Sequence, residues 1–410
     1  MHALLLSLIV LSLAACSRDK PPSITMMKVI SGSPNYDFQE DAYTVKLGFI
    51  GPITGTNAAE GSAARNAFLM AIEDANNSGR FPYTIETIIV DDQSSEDVAA
   101  AGAAKMVSDP LVVAVTGFWN SGPAAAAIPI FIDAKIPLLI WGAISETLTN
   151  EDNVPWITRS APTDKQENIP LARAVLDNMG YKDWFVVSDL STYGSGNYDA
   201  FMRELFSRDI TPLGSEYVRE DAYENIWEIN EVVQKIIQSG AKAVYCGSTY
   251  SIGSQLKRRL YEAGATNILY CGISGMKTVD FFNIGNSAAE GTLVVSPGII
   301  LEETAAGRRF IEVYNSKAYS EPIGAYTPYA YEAALILINS LSVCSGRPTS
   351  AEMTNVIFRS TTVGIMGTTA FNEIGQTMNI AAYLNVAQNG SWVPYLNSDY
   401  ANGRRSFGGR

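Results

Sequence analysis

The sequence predicts an α/β protein built as two doubly wound, parallel-sheet lobes, and three observations carry that prediction. From Tyr43 onward, short apolar runs rich in β-branched residues alternate with helix-like segments. The alternation starts afresh at Asp183. At 410 residues, the chain is also too long for one ordinary core. The first set of runs is VKLGFIG, YTIETIIVDD, VVAVTG and IPLLIWGA. They are continuously apolar, as strands covered on both faces are. Between them lie GSAARNAFLMAIEDANNSG, SSEDVAAAGAAKMVSD and SGPAAAAIPIFIDAK, each suited to a helix. The second set is DWFVVSD, AKAVYCG and TNILYCG, each again followed by a helix-like segment. Such alternation is that of βαβ units on a parallel sheet, and no short-period repeat points to a solenoid.

Composition narrows the function. With 47% apolar and 17% charged residues the chain is a folded protein. A net charge of −13 argues against a nucleic-acid partner, which needs clustered Lys and Arg. The only histidine is His2. Without another, the usual general base, the Ser-His-Asp arrangement and most zinc sites are excluded. No Gly-x-Ser-x-Gly elbow, phosphate-binding Walker loop or His-Glu-x-x-His occurs. The stretch YGSGNY from Tyr193 lacks the glycine spacing of a dinucleotide loop. Neither a cofactor nor a metal is expected, and the protein reads as a non-enzyme. An extracytoplasmic hydrolase using carboxylates is the enzymatic alternative, although local sequence marks out no carboxylate pair.

The opening MHALLLSLIVLSLAAC is too short to span a bilayer comfortably and suits the apolar region of a signal peptide. Its ending, Leu13-Ala14-Ala15-Cys16, resembles the bacterial lipobox, in which the Cys is lipid-modified. Residues 1–16 are therefore expected to be a lipoprotein signal peptide with Cys16 as the lipidation site. An ordinary signal peptide with an incidental Cys is the alternative, and the region before the apolar run offers no Lys or Arg. Residues 17–42 have no sustained periodicity and read as a flexible tether. Three further cysteines follow. Cys246 and Cys271 end the similar runs AVYC and ILYC, so they are a candidate disulfide, with Cys344 left over.

In doubly wound sheets, ligands bind beyond the carboxyl ends of the strands. In the first half those ends read GPITGTNAAEG, GFWNSGPAAAA and WGAISE; in the second, SDLSTYGSG, CGSTYS and CGISGM. Small residues, hydroxyls and aromatics recur at each, as a ligand cleft requires.

The ordered series VKLGFIGPITG, ARNAFLMAIEDAN, VDDQSSEDVAAAGAAKMV, VVAVTGFWNSGPAAAAIPIF, IPLLIWGAISETLT, STYGSG and GTTAFNEIGQ resembles the periplasmic ligand-binding proteins of branched-chain amino-acid-type ABC transporters. The likeness runs from Tyr43 to about Tyr395. It implies the type I periplasmic binding fold, whose two lobes are joined by three hinge crossings, here near Ala161, Val295 and Phe371. The amino-terminal lobe would hold 43–160 plus 297–368, the carboxyl-terminal lobe 161–296 plus 369–396, with 397–410 a tail. The implied protein is an exported, monomeric solute receptor, periplasmic or anchored to the membrane of the cell envelope. It would close on a small carboxylate-bearing ligand and present it to permease and ATPase subunits. A ligand sensor feeding a signalling system is the alternative in the same fold.

Position by position, the resemblance places the ligand carboxylate at Ser121, Ala143 and Ser145. Physical reasoning agrees: Pro123 suits a helix's first turn, so Ser121 or Gly122 would be its N-cap, where free N–H groups attract an anion. Ala143 would offer its backbone and Ser145 a hydroxyl. Trp141 would wall the cleft, with Trp119 and Asn120 as further lining. Tyr193, Tyr250 and Ser274 match from the second lobe, the tyrosines closing over the ligand. Ser274 departs from the family: amino-acid binders often have there a Glu that pairs with the ligand ammonium. Glu60 or Glu146 would have to replace that charge. Without it, the expected ligand is a carboxylate with an apolar or aromatic body, and an aliphatic α-amino acid is disfavoured.

Overall fold

The computed structural model describes residues 44–344 and 346–408; the expected signal peptide, Cys16 and the expected 17–42 tether lie outside the described residues. Five parallel strands make the first sheet: β1 (Thr44–Gly51), β2 (Thr84–Asp91), β3 (Val112–Gly117), β4 (Leu138–Ile140) and β5 (Ile157–Arg159), in the order β2-β1-β3-β4-β5. Every residue of β3 and β4 is buried, which is why these runs carry no polar alternation. Helices α1 (Ala58–Asn77), α2 (Glu96–Val107) and α3 (Ser121–Asp133) form the crossovers. The sheet order reverses between β1 and β3, so the loops after those two strands flank a crevice.

After β5 come α4 (Asp164–Ala172), β6 (Trp184–Asp189), α5 (Thr192–Phe206), β7 (Gly214–Val218), α6 (Ile226–Ser239), β8 (Ala243–Cys246), α7 (Tyr250–Glu262), β9 (Leu269–Gly272), α8 (Asp280–Gly285) and β10 (Thr292–Pro297). The chain then returns to the first sheet through α9 (Ala305–Ser316), α10 (Thr327–Leu341), α11 (Ser350–Arg359) and the hairpin β11 (Thr361–Gly364)–β12 (Gly367–Ala370). It ends on the second sheet with β13 (Ala382–Gln388) and β14 (Ser391–Pro394). That sheet runs β14-β13-β10-β9-β8-β6-β7, and β13 and β14 are antiparallel to their neighbours. The second sheet is therefore mixed rather than wholly parallel. The last segment arrives beside β10 from the opposite direction and turns back through Asn389 and Gly390, both at positive φ. This is the geometry of a two-residue hairpin loop. The tail folds onto this sheet's lobe: Tyr400 stacks on Phe407, and the Tyr181 hydroxyl donates to the Gly408 carbonyl.

Helix α10 packs against α1 and is buried along nearly its whole length. Its one carboxylate, Glu332, accepts from the Ile365 N–H at 3.0 Å and the Thr369 hydroxyl at 3.3 Å. It thereby ties the β11–β12 hairpin to the helix, and burial lifts its pKa to about 7. A Cβ on Gly364 would fall 2.0 Å from that carboxylate, so only glycine fits there.

The chain passes between the sheets three times: after Arg159, after Pro297, and between Ala370 and Ala382. Arg159 binds the first and third passages together. Fully buried, its guanidinium donates to Gln376 Oε1 (2.7 Å), to the carbonyls of Ala143 (3.1 Å) and Ser145 (2.6 Å), and to the Thr149 hydroxyl (3.0 Å). Gln376 donates in turn to the Ala161 carbonyl, and Gly298 N–H to the Ala381 carbonyl. Thr163 and Gln166 then start α4 with a reciprocal capping box. Replacing Arg159 with Met is expected to lower unfolding stability by about 3–5 kcal/mol in denaturant titration, since several buried acceptors lose their donor at once.

The register excludes the Cys246–Cys271 bridge. Tyr245 lies opposite Cys271, and Cys246 opposite Gly272. Successive side chains point to opposite faces of a sheet, so the two thiols enter different apolar clusters and both are free. Burial pushes the Cys246 thiol up to about 11 and raises that of Cys271 as well. Both are expected to resist alkylation in the native protein and to react separately once unfolded, with unreduced peptide mapping giving no cross-linked fragment.

Candidate ligand-binding site

The carboxyl ends of the two sheets face each other across a cleft, and the lobes touch there. The Tyr250 hydroxyl, at the start of α7, donates to the Thr56 carbonyl of the first lobe. Arg203 pairs with Glu146 at 3.3 Å, and the Glu146 N–H donates to Asp164. A cavity of about 280 Å³ opens between the lobes beside Asn57, Asn120 and Ser121 on one side and Tyr193, Tyr223 and Ser251 on the other.

Of the expected carboxylate-binding set, Ser121 lines this cavity and Ala143 and Ser145 do not. Ser121 is fully buried and opens α3 as its first helical residue. The cap itself is Asn120, one residue earlier than expected: its backbone is extended, and its carbonyl already accepts from Ala124 N–H. Asn120 lines the cavity, and its side-chain oxygen, like that of Asn57, is buried without a hydrogen-bond partner. Ser145 N–H donates to the Ser121 hydroxyl at 3.3 Å, so the two serines are brought together. Ala143 departs from expectation. Its N–H is spent on the Phe118 carbonyl and its carbonyl accepts from Arg159, so it is a structural neighbour rather than an N–H donor to an anion.

Trp141 is not a cleft wall. It is fully buried in the first lobe's core and stacks on Phe49, with ring centroids 5.8 Å apart. It follows β4 directly, and a core-facing side chain there continues the apolar strand. Trp119 packs into the same apolar cluster. Both indole N–H groups are buried without a partner.

In the second lobe, Tyr193 sits in the first turn of α5 and its hydroxyl accepts from Gly275 N–H at 3.1 Å. Ser274 is buried, and its hydroxyl donates to Glu167 at 2.6 Å while meeting the Tyr326 hydroxyl at 2.7 Å. Tyr326 also donates to Glu167, at 2.6 Å. Glu167 was not among the sequence candidates. It is wholly buried, and burial lifts its carboxyl to about 7 against the pull of these donors. One sequence signal pointed at it: Asp164, Glu167 and Asn168 share with Leu171 the buried face of α4, an unusually polar stripe at helical spacing.

Thus the carboxylate missing at position 274 is present one side chain away. Of the two replacements considered from sequence, Glu146 is drawn off to Lys165 and Arg203 at the surface. Glu60 is buried at the start of α1, and desolvation raises it to about 7. No group of metal-ligating side chains occurs among the described residues, and no helix there is long and apolar enough to cross a membrane.

Comparisons with known proteins give the family and the fold. A family profile described as periplasmic binding protein matches residues 44–391. Leu/Ile/Val-binding protein homolog 3 of Brucella melitensis is 24% identical over 86% of this chain and 94% of its own length. A leucine-, isoleucine-, valine-, threonine- and alanine-binding protein of Pseudomonas aeruginosa is 24% identical over 85% and 91%. Among solved structures, the branched-chain amino acid transporter substrate-binding protein LivJ of Streptococcus pneumoniae, in complex with isoleucine, is similar with a TM-score of 0.77. It is 20% identical over 86% of this chain and all of its own. A solute-binding protein of R. palustris in complex with 4-hydroxybenzoate is similar with a TM-score of 0.74, at 18% identity over 86% and 95%. At these identities the structural likeness shows the fold.

The raised Glu167 carboxyl has a measurable consequence. Between its ordinary value of 4.5 and about 7 the folded state binds the proton that the unfolded state has lost. Stability is then full below the lower value and falls as pH rises through the upper one. Glu167→Gln should therefore gain stability relative to the ligand-free wild type as pH rises from about 5 to about 8, by on the order of 2 kcal/mol. Calorimetric unfolding across that range reads the difference.

Proposed function

The chain belongs to the periplasmic binding protein family, and from that premise we propose that it is the solute receptor of an ABC importer, closing on a free α-amino acid. The observation that carries the amino-acid reading is the contact between Ser274 and the buried Glu167 carboxylate. A carboxylate kept from water beside a cleft favours a cation arriving to pair with it. In the first lobe, Ser121 supplies a hydroxyl at the start of α3, where the helix end favours an anion, and Ser145, hydrogen-bonded to it, supplies another. An α-amino acid presents both charges on adjacent atoms. The relatives named for binding Leu, Ile and Val support the same ligand class.

Closure in this reading is a hinge motion about the three passages, with 43–160 plus 297–368 moving against 161–296 plus 369–396. Each lobe alone holds half of the ligand's polar groups, and joint desolvation turns two weak grips into a strong one. Micromolar affinity corresponds to about −8 kcal/mol, within reach of a few charge-assisted bonds at about 1.5–3 kcal/mol each plus apolar burial.

Isothermal titration with an amino acid and its 2-oxo analogue tests the reading. The amino acid should bind, the analogue should bind at least about tenfold more weakly, and Glu167→Gln should erase most of that difference. Equal binding of the pair, or no binding of either, contradicts it.

Anchoring at the cell envelope is the second part of the proposal and rests on the Leu-Ala-Ala-Cys sequence at 13–16. Cys16→Ala should move the exported protein from the membrane fraction to the soluble one, as read by fractionation and immunoblotting. A wild type already soluble after processing would contradict a lipid anchor.

A further inference from the structure

Beside the Glu167 cluster, a second cavity of about 310 Å³ lies between the lobes. Two of its lining residues adjoin the cluster in the chain. Ala325 precedes Tyr326 in the chain, and Lys277 follows Ser274 by one turn of chain. Glu60 projects into its lining from the first lobe, with Lys277 and Asp280 facing from the second.

Glu60 is 8% exposed, and its carboxylate has no hydrogen-bond or ion-pair partner among the described residues. The neighbouring cation, Lys277, acts on it through its charge but makes no ion pair or hydrogen bond with it. Lys277 donates to the Tyr383 hydroxyl at 3.1 Å and stands over that ring. The backbone has been cleared for the carboxylate: a Cβ on Gly324 would fall 2.2 Å from Glu60 Oε2. A largely buried carboxylate that opens into a cavity and has no protein donor is placed to take one from a ligand.

The other cavity between the lobes is acidic as well. That cavity is lined by Glu96, Asp189, Glu220 and Asp221, with no Lys or Arg. Its buried orphan atoms, the side-chain oxygens of Asn57 and Asn120, are acceptors too. In the second cavity an anionic side chain would face Glu60 and Asp280 beside Lys277, and an aliphatic one leaves Glu60 unpaired.

We infer that Glu60 receives the far end of the ligand's side chain, so that the ligand is an α-amino acid whose side chain ends in a hydrogen-bond donor, an amide or a cation. The inference rests on the amino-acid reading above and adds the specificity that reading leaves open. Glu60 acts by direct contact: its carboxylate accepts from the donor that closure delivers, while Glu167 holds the α-ammonium.

The test is isothermal titration of the full chain with leucine, glutamine and lysine, for wild type, Glu60→Gln and Glu60→Leu, with thermal unfolding confirming that each variant folds. Wild type should bind glutamine or lysine at least about tenfold more tightly than leucine, because a site built for a donor rejects a ligand lacking one. Glu60→Leu should remove that preference and leave leucine unchanged or tighter. Glu60→Gln separates the two donors: lysine affinity falls with loss of the charge, whereas glutamine affinity is largely kept. A wild type that prefers leucine, or a Glu60→Leu change that weakens all three equally, overturns the inference while leaving the amino-acid reading intact. Failure of every amino acid to bind the folded wild type overturns both.

Discussion

A guanidinium without access to water stands where the two lobes are joined, and the geometry of the cleft depends on how it is satisfied. Arg159 ends β5, the last strand before the chain leaves the first sheet. Burial lowers its pKa to about 10, yet it stays charged at neutral pH because Asp164 lies nearby and its N–H groups find acceptors. Two of those acceptors, the carbonyls of Ala143 and Ser145, belong to the loop after β4. A third, Gln376, belongs to the returning passage. One side chain thus fixes the shape of that loop and the spacing of two passages between the sheets. Removing a charge from water is costly unless it is fully bonded, so the loop and the passages hold their positions as a unit.

The same economy governs the cleft. The site is rich in buried carboxyls, Glu60, Asp164 and Glu167, all raised by burial. Asp164 is served by Arg159 and by two backbone N–H groups, and Glu167 by Ser274 and Tyr326. Glu60 has no such donor. How well each is satisfied singles out Glu60 as the carboxyl without a protein donor, which sequence position alone does not do. It also explains why Glu146, adjacent to Ser145 in sequence, has no part in the site: its helical turn points it to solvent, where Lys165 and Arg203 pair with it.

Much of the architecture was legible in the sequence. The continuous apolar runs became the central parallel strands because such strands are covered on both faces, and SGPAAAAIPIFIDAK became α3 with a one-residue shift at its cap. Edge elements were less visible. β7 is half exposed and alternates in burial, so GSEYV has no apolar run to announce it. The β13–β14 hairpin carries its own signal in Asn389-Gly390, but its strands are only partly buried.

The sequence by itself determined the alternation of strands and helices, and therefore which loops lie at the strands' carboxyl ends. Periodicity and strand direction are local properties, and Ser121, Ser145, Tyr193, Tyr250 and Ser274 all fall on those loops or helix starts for that reason. What those residues touch was decided by tertiary structure. Cys246 and Cys271 look equivalent in sequence, yet a one-residue offset in register sends them to opposite faces. Trp141 follows its strand into the core instead of the cleft. Glu167 lies 107 residues from Ser274 along the chain and hydrogen-bonds to it across the fold. A residue's neighbours in a doubly wound protein come from separate βα units, and the pairing of those units is set by sheet order and hinge closure, which no local pattern encodes.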